Sequence, residues 1–389
     1  MNNYEYHNPV KIVFGEGSCQ KLPVLLPASR PLVLLYGGGS IKHNGVYDAV
    51  KQHVPADIAC EFGGITPNPE HTTCMQALDA MAGLSDPFLL AVGGGSVLDA
   101  AKYIAAAWYF RQQHGPHADP WDILVKKAAV EQALPIGCVL TLPATGSEMN
   151  GNSVISRSEH GEKRGFNSAK VMPVFSILDP TTSYSLPLRQ TANGIVDTFV
   201  HVTEQYLTRD NDSPLTDRLA EGILLTLIER GKRALMQAHD YPTRAALMQA
   251  SCLALNGLLA CGTIQDWSTH MIGHELTALH GLDHAQSLAV VLPGVLQHKQ
   301  QAKRAKLIQF AQRVWGLSIG DEQVLMDEAI ARTILFFESL GVETRLSDYQ
   351  LDASCAEIIG QRIASRGWML GEDADIDGKA VQSILLSRI

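Results

Sequence analysis

The chain has 389 residues, more than one hydrophobic core usually serves, and its 46% hydrophobic and 18% charged residues exclude a disordered chain and imply two globular domains. A net charge of −9 without any basic run argues against a nucleic-acid partner, and no apolar stretch is long enough to cross a bilayer. Met1–His7 lacks the basic-then-apolar pattern of a signal peptide, and seven scattered cysteines without a CxxC read as reduced thiols, so a cytoplasmic protein is expected.

Strand and helix signals alternate through the first half. Residues 31–36, 88–92, 134–142 and 174–178 are short, almost unbroken apolar runs bounded by turn residues, the pattern of parallel strands buried on both faces. Residues 45–54 and 74–84 have helical spacing. An α/β domain with helices on both sides of a sheet follows, over residues 1–182. Near Asp179-Pro180 the pattern breaks, and from Leu188 on helical periodicity dominates: 190–207, 217–238, 244–260, 302–315 and 327–340. Residues 183–389 are therefore expected to form a mainly helical domain.

Two glycine triplets end in serine, Gly37-Gly38-Gly39-Ser40 and Gly93-Gly94-Gly95-Ser96, each between a strand and a helix. Glycines there let backbone approach a ligand, and a helix N-terminus offers free N–H groups to a phosphate. One such triplet is equally well explained as a tight turn; two in equivalent places point to phosphate binding. Neither has the G-x-G-x-x-G form of the common dinucleotide fold. A third segment, Thr141 to Glu148, puts Thr145, Gly146 and Ser147 beyond a strand end, where open α/β sheets bind ligands.

Four of the fourteen histidines fall between His270 and His284, as His270, His274, His280 and His284. Upstream, Asp197 and His201 are spaced i, i+4 on a helix, so their side chains share a face. Each residue alone reads more readily as a core or surface group. Together they suit Zn²⁺ or Fe²⁺ better than Mg²⁺ or Ca²⁺, which prefer oxygen shells, although not all can be ligands if substrate is to have a place.

In combination, Gly93-Gly94-Gly95-Ser96-x-x-Asp99-x-x-Lys102, Thr145-Gly146-Ser147-Glu148, Asp197-x3-His201 and His270-x3-His274-x9-His284 resemble the iron-containing (group III) alcohol dehydrogenase family across the whole chain. The run from His274 to His284 is similar to the butanol-dehydrogenase branch and its broad-range NADPH-dependent aldehyde reductases. The resemblance implies the dehydroquinate synthase-like fold, a dinucleotide-binding α/β domain followed by an all-α metal-binding domain, and a homodimer. It implies hydride transfer between NADP(H) and small alcohols or aldehydes at one divalent metal, Zn or Fe. It makes Asp197, His201, His270 and His284 the ligands, with His274 beside the metal but not a primary ligand; because a histidine exchanges protons near neutral pH, His274 is also the candidate proton relay to solvent. Gly38, Gly39, Ser40, Gly94, Gly95, Ser96, Asp99, Thr141, Thr145, Ser147 and Lys163 are then the cofactor-binding residues, Asp99 also holding the nicotinamide for catalysis. His280 is left as a pocket or supporting residue.

Two departures matter. Many NAD-using members carry an aspartate where Gly38 stands; glycine leaves room for a 2′-phosphate, with Ser40 and Lys42 close by, which favours NADP. Leu142 replaces the second of two adjacent threonines. A metal- and NAD-dependent lyase on the same scaffold would need Lys and Arg density for an anionic substrate, which is sparse here. A metallohydrolase would leave both glycine triplets without a role, and a cofactor-binding protein without chemistry would leave the ligand set without one.

Overall fold

A computed structural model describes residues 1–54, 57–318 and 320–389. The chain forms two compact units: His7–Leu186 with Ala238–Cys252, and Met1–Tyr6 with Pro187–Gln237 and Leu253–Ile389.

The first unit is built on strands β1 (Lys11–Phe14), β2 (Leu32–Tyr36), β3 (Ile58–Phe62), β4 (Phe88–Gly94), β5 (Ile136–Leu142) and β8 (Phe175–Leu178), between which β6 (Asn152–Arg157) and β7 (Glu162–Asn167) form a separate antiparallel hairpin. The sheet order is β1-β8-β5-β4-β2-β3, and every pairing in it is parallel. The apolar runs are unbroken because both faces are covered. Val33, Leu35, Leu89, Ala91, Ile136 and Cys138 point into one core, and Leu32, Leu34, Phe88, Leu90 and Val139 into the other. Helices α3 (His71–Ala80), α4 (Gly95–His114) and α5 (Trp121–Leu124) contribute to the first core, as do Met248 and Cys252 of α8 (Tyr241–Ala254). The short α1 (Leu22–Leu25) and α2 (Val46–His53) contribute to the second.

The chain leaves β2 for β3 on one side, crosses back to β4 and continues to β5, so its direction of travel reverses between β2 and β4. Ligands of open α/β sheets bind outside the carboxyl ends of the strands at such a reversal.

The second unit is helical: α6 (Leu188–Tyr206), α7 (Pro214–Met236), α9 (Ser268–His280), α10 (His284–His298), α11 (Arg304–Arg313), α12 (Glu322–Ser339), α13 (Ala353–Ser365) and α14 (Gly378–Leu386). Phe199 of α6 anchors one core, its ring 5.3–5.4 Å from those of Phe336 and Phe337. Ile272, Leu276, Val290, Ile359 and Val381 belong to a second core. Gly273 lets α9 approach α10 closely: a Cβ there would stand 3.0 Å from Leu288 and Ser287. Among the described residues no helix is long and apolar enough to cross a membrane.

The expected helices and strands are present with shifted ends. The helix expected over 244–260 stops at Ala254; Asn256 then accepts the Leu258 amide at 3.0 Å and Gly257 turns at φ +92°. Strands β1, β3, β6 and β7 were not expected: the apolar runs of β1 and β3 are only three residues long, β3 alternates half-buried and exposed residues at the sheet edge, and the hairpin is polar.

Candidate active site

The three glycine- and hydroxyl-bearing segments follow β2, β4 and β5, which are neighbours in the sheet. Residues 37–40, 93–96 and 143–147 therefore lie at adjacent strand ends, beside the reversal between β2 and β4. Helix α4 starts at Gly95, and its N-cap, Gly94, has no side chain to offer the first-turn N–H groups. A chain of twenty residues aligns its dipole behind those donors, which is the local chemistry a pyrophosphate needs. Gly95 is required by packing: a Cβ would stand 2.3 Å from Thr145 Oγ1. Among the described residues, no atom beyond Gly38 and its two chain neighbours lies within 4 Å of where a Cβ would stand, so the place is open. Ser40 is exposed beside it, and Lys42 Nζ sits 4.9 Å above the Tyr36 ring.

Asp99 is on the second turn of α4, and both of its carboxylate oxygens are engaged by protein: Oδ1 accepts from Ser147 Oγ at 2.6 Å and Oδ2 from the Val154 amide at 2.9 Å. The Lys102 ammonium is fully buried and donates to Ser147 Oγ (2.7 Å), Asn150 Oδ1 (3.2 Å) and the Asn152 carbonyl (2.8 Å). Burial pulls its pKa down to about 8 against the opposing pull of Asp99 and Glu148. Burial likewise pushes Asp99 up, and the Glu148 carboxyl up to about 7. This network ties the start of α4 to the loop after β5 and to the hairpin, so Ser147 and Asp99 shape the loop. Thr141 is buried at the end of β5, Thr145 Oγ1 accepts the Ser147 amide at 3.2 Å, and Lys163, on β7, donates to Asn68 Oδ1 at 2.9 Å.

In the helical unit, Asp197, His201 and His270 each direct a ligand atom to within 4.8 Å of the others, and all three are buried. Asp197 and His201 lie one turn apart on α6; His270 is in the first turn of α9. His284 opens α10 with Nε2 3.7 Å from Asp197 Oδ1. The His201 and His270 rings stack at 4.7 Å, and His270 and His284 meet edge to face at 5.2 Å. His274, one turn beyond His270, is half-buried with its ring 5.3 Å from that of His284. His280 is the exposed last residue of α9. Asp197 Oδ1 is buried and accepts no hydrogen bond among the described residues, at the centre of three imidazoles. A buried, unengaged carboxylate oxygen among nitrogen donors fits a divalent transition metal.

Each ligand candidate has a cause for its place. The α6 spacing delivers Asp197 and His201 to one face. A capping box between Asp283 and Gln286 starts α10, and Asn193 of α6 donates to Asp283 Oδ2 at 2.8 Å, which orients the turn bearing His284. Sequence reasoning missed Glu204, which accepts from the Thr269 amide at 2.6 Å and is hydrogen-bonded to His270 Nδ1. Its signal was available, since Glu204 stands three residues after His201 on the same helix face. Burial, reinforced by Asp266, pushes the Glu204 carboxyl up, while the Thr269 and His270 amides and His201 pull it back. Trp267 was also missed: it precedes α9 in a left-handed conformation at φ +62°, with its ring 5.3 Å from that of His270. Asp266 and the buried Lys303 brace this turn, at 2.8 Å from one another.

A doubly wound sheet with open phosphate-type loops in one unit, and an aspartate–histidine cluster in the other, together define a metal-dependent, dinucleotide-using oxidoreductase. Residues 9–180 match the family described as iron-containing alcohol dehydrogenase, and residues 191–388 match its C-terminal part. The chain belongs to the iron-containing alcohol dehydrogenase family. It is 50% identical over 378 residues to the NADPH-dependent aldehyde reductase YqhD of Escherichia coli, covering 97% of each chain. It is 40% identical to the NADP-dependent alcohol dehydrogenase 3 of Entamoeba histolytica, covering 99% of this chain and 98% of the relative. The crystal structure of Escherichia coli YqhD superposes with a TM-score of 0.95 at 48% identity, covering 100% of this chain and 99% of that one. That of NADH-dependent butanol dehydrogenase A from Thermotoga maritima gives 0.91 at 33% identity, with the same coverage.

Proposed function

We propose that this protein is an NADP(H)-dependent alcohol dehydrogenase or aldehyde reductase acting on small alcohols and aldehydes. The observation that carries the reading is the convergence of Asp197, His201 and His270 from two helices far apart in sequence, with His284 adjoining. The names of the two relatives above support the reaction class and the choice of NADP(H). The open place at Gly38, with Ser40 exposed beside it and Lys42 close by, suits a 2′-phosphate.

Residues 1–182 hold the cofactor in this reading and residues 183–389 the metal. The first-turn amides of α4 and the backbone of residues 37–40 take the phosphates, and Thr141, Thr145, Ser147 and Lys163 border the remainder of the cofactor. Asp99 keeps Ser147 and the hairpin in register. Asp197, His201, His270 and His284 hold the cation, Zn²⁺ or Fe²⁺. When bound, the cation supplies Lewis acidity toward the substrate oxygen and NADPH supplies the hydride. His274, half-buried beside His284, exchanges the substrate's proton with solvent. The protein works in the cytoplasm as a homodimer.

The test is the initial rate of butanal reduction with NADPH and, separately, NADH, on chelated enzyme and after Zn²⁺ or Fe²⁺ is restored. Metal-dependent turnover that prefers NADPH is expected. No turnover with either cofactor by the metal-loaded enzyme would refute the assignment.

A further inference from the structure

Helix α9 carries His270, and Trp267, at its N-cap position, makes no side-chain hydrogen bond to the first turn; Asp266, one residue earlier, accepts only the first amide, that of Ser268, at 2.8 Å. The N–H groups of a helix start must find partners elsewhere. The next two, of Thr269 and His270, find Glu204, which comes from α6 and is buried. One oxygen, Oε1, accepts the amides of Thr269 at 2.6 Å and His270 at 3.4 Å. The other, Oε2, is bonded to Nδ1 of the His270 ring. Within α6, Glu204 follows His201 by three residues and Asp197 by seven, so all three share one face. One carboxylate thus does two things: it accepts first-turn amides of the helix that bears a ligand candidate, and it engages Nδ1 of that candidate's ring.

We propose that Glu204 is the positioning residue of the metal site, holding the His270 proton on Nδ1 so that the Nε2 lone pair is presented to the cation. This rests on the metal-site reading above. An imidazole ligates through whichever nitrogen lacks the proton, and the hydrogen bond made by the other nitrogen decides which that is. A carboxylate behind a ligating histidine also increases its basicity and locks its rotation; loss of such a partner typically costs about 10–100-fold in metal affinity.

Glutamine in its place separates the two roles. To keep the cap, the glutamine oxygen must accept the Thr269 and His270 amides. Its NH₂ group then faces Nδ1, donates to it, and shifts the His270 proton to Nε2. Glu204→Gln therefore preserves the helix start and opposes the ligating tautomer. Glu204→Asp, one methylene shorter, keeps the charge and partly rescues.

The measurement is Zn²⁺ affinity, by competition with a chromophoric chelator, for the parent, Glu204→Gln and Glu204→Asp, beside the thermal midpoint of each metal-free protein. A 10–100-fold weaker Zn²⁺ affinity in Glu204→Gln is expected, with a metal-free midpoint close to the parent's and partial recovery in Glu204→Asp. In the Zn²⁺-loaded parent, ¹⁵N-histidine spectra should place the His270 proton on Nδ1. Parental affinity in Glu204→Gln overturns the proposal while leaving the metal site standing. So does a proton on Nε2 of His270 in the Zn²⁺-loaded parent, or a loss of affinity matched by a collapse of the metal-free midpoint. A parent that binds no Zn²⁺ at all overturns the metal-site reading and this proposal with it.

Discussion

Lys303 is the group whose removal should be felt most widely in the helical unit. Its ammonium is 1% exposed and donates to the Leu207 carbonyl (2.8 Å), Asp266 Oδ2 (2.8 Å) and Glu372 Oε1 (2.7 Å). Methionine has a similar length and fills the same channel, so Lys303→Met leaves little cavity. What it does leave is two buried carboxylates facing one another without a cation. Breaking a buried ion pair from one side costs about 3–5 kcal/mol, and unfolding by urea at neutral pH should show a loss in that range.

The pH dependence gives the sharper test. Burial raises the Asp266 pKa, but Lys303 and Ser268 outweigh it and hold the carboxyl below its ordinary value. A depressed folded-state pKa contributes stability above the unfolded pKa, lost as pH falls through the folded value. In Lys303→Met burial acts on Asp266 with its main counterweight removed, so the carboxyl moves up and its charge becomes a cost that protonation relieves. The deficit of the variant should therefore be largest at neutral and alkaline pH and narrow steadily toward pH 4. A deficit under about 1 kcal/mol, or one that does not change with pH, would refute the account. Because Asp266 also accepts the Ser268 amide at 2.8 Å at the start of α9, the variant should bind Zn²⁺ more weakly as well.

Asp197→Ala removes the buried oxygen between the imidazoles, so bound metal and aldehyde reduction should disappear together; metal analysis after gel filtration checks this, and full activity in a metal-free variant would exclude the site. His274→Ala should keep its metal but lose about 10²-fold in kcat, with a flattened pH–rate profile, read by steady-state kinetics between pH 5 and 9. Gly38→Asp places a negative charge at the open end of β2, which should raise the KM for NADPH by roughly tenfold, the ~1–2 kcal/mol expected of a like charge a few ångströms from a phosphate, and leave NADH largely unaffected. Gly95→Ala drives a methyl group into Thr145 Oγ1; cofactor affinity, by fluorescence titration, should fall before the thermal midpoint does.

The parts of the fold legible in the sequence were those whose patterns are local. The unbroken runs of β2, β4, β5 and β8 announce strands covered on both faces, and those of β2, β4 and β5 lead into the candidate cofactor-binding glycine and hydroxyl segments. Edge strands escape this logic: β3 alternates only weakly, and β1 is four residues long with its two ends exposed. The candidate ligands were visible because histidine is scarce and four crowd into fifteen residues. Their supports were not visible. Glu204, Asp266 and Lys303 are ordinary charged residues until folding buries them, and a carboxylate that will serve a helix sixty-five residues later leaves no local mark. Asp99 was singled out by its motif, but its hydrogen bonds from Ser147 Oγ and the Val154 amide, forty-eight and fifty-five residues away, left no local mark.

The arrangement of the candidate metal ligands follows from one stripe of one helix. Along α6, Asn193, Asp197, His201 and Glu204 recur at intervals of four, four and three residues, which keeps them on a single face. Asn193 holds Asp283, and so the capped start of α10 where His284 sits. Asp197 and His201 supply two of the ligand candidates themselves. Glu204 holds the start of α9 and the ring of His270. The other two ligand candidates are thus mounted on helix beginnings, and both beginnings are hydrogen-bonded to α6. A helix turns about 100° per residue, so the stripe makes the site intolerant of insertions in α6 between 193 and 204. It also makes α6 the element whose register decides whether four side chains drawn from three helices meet at one point.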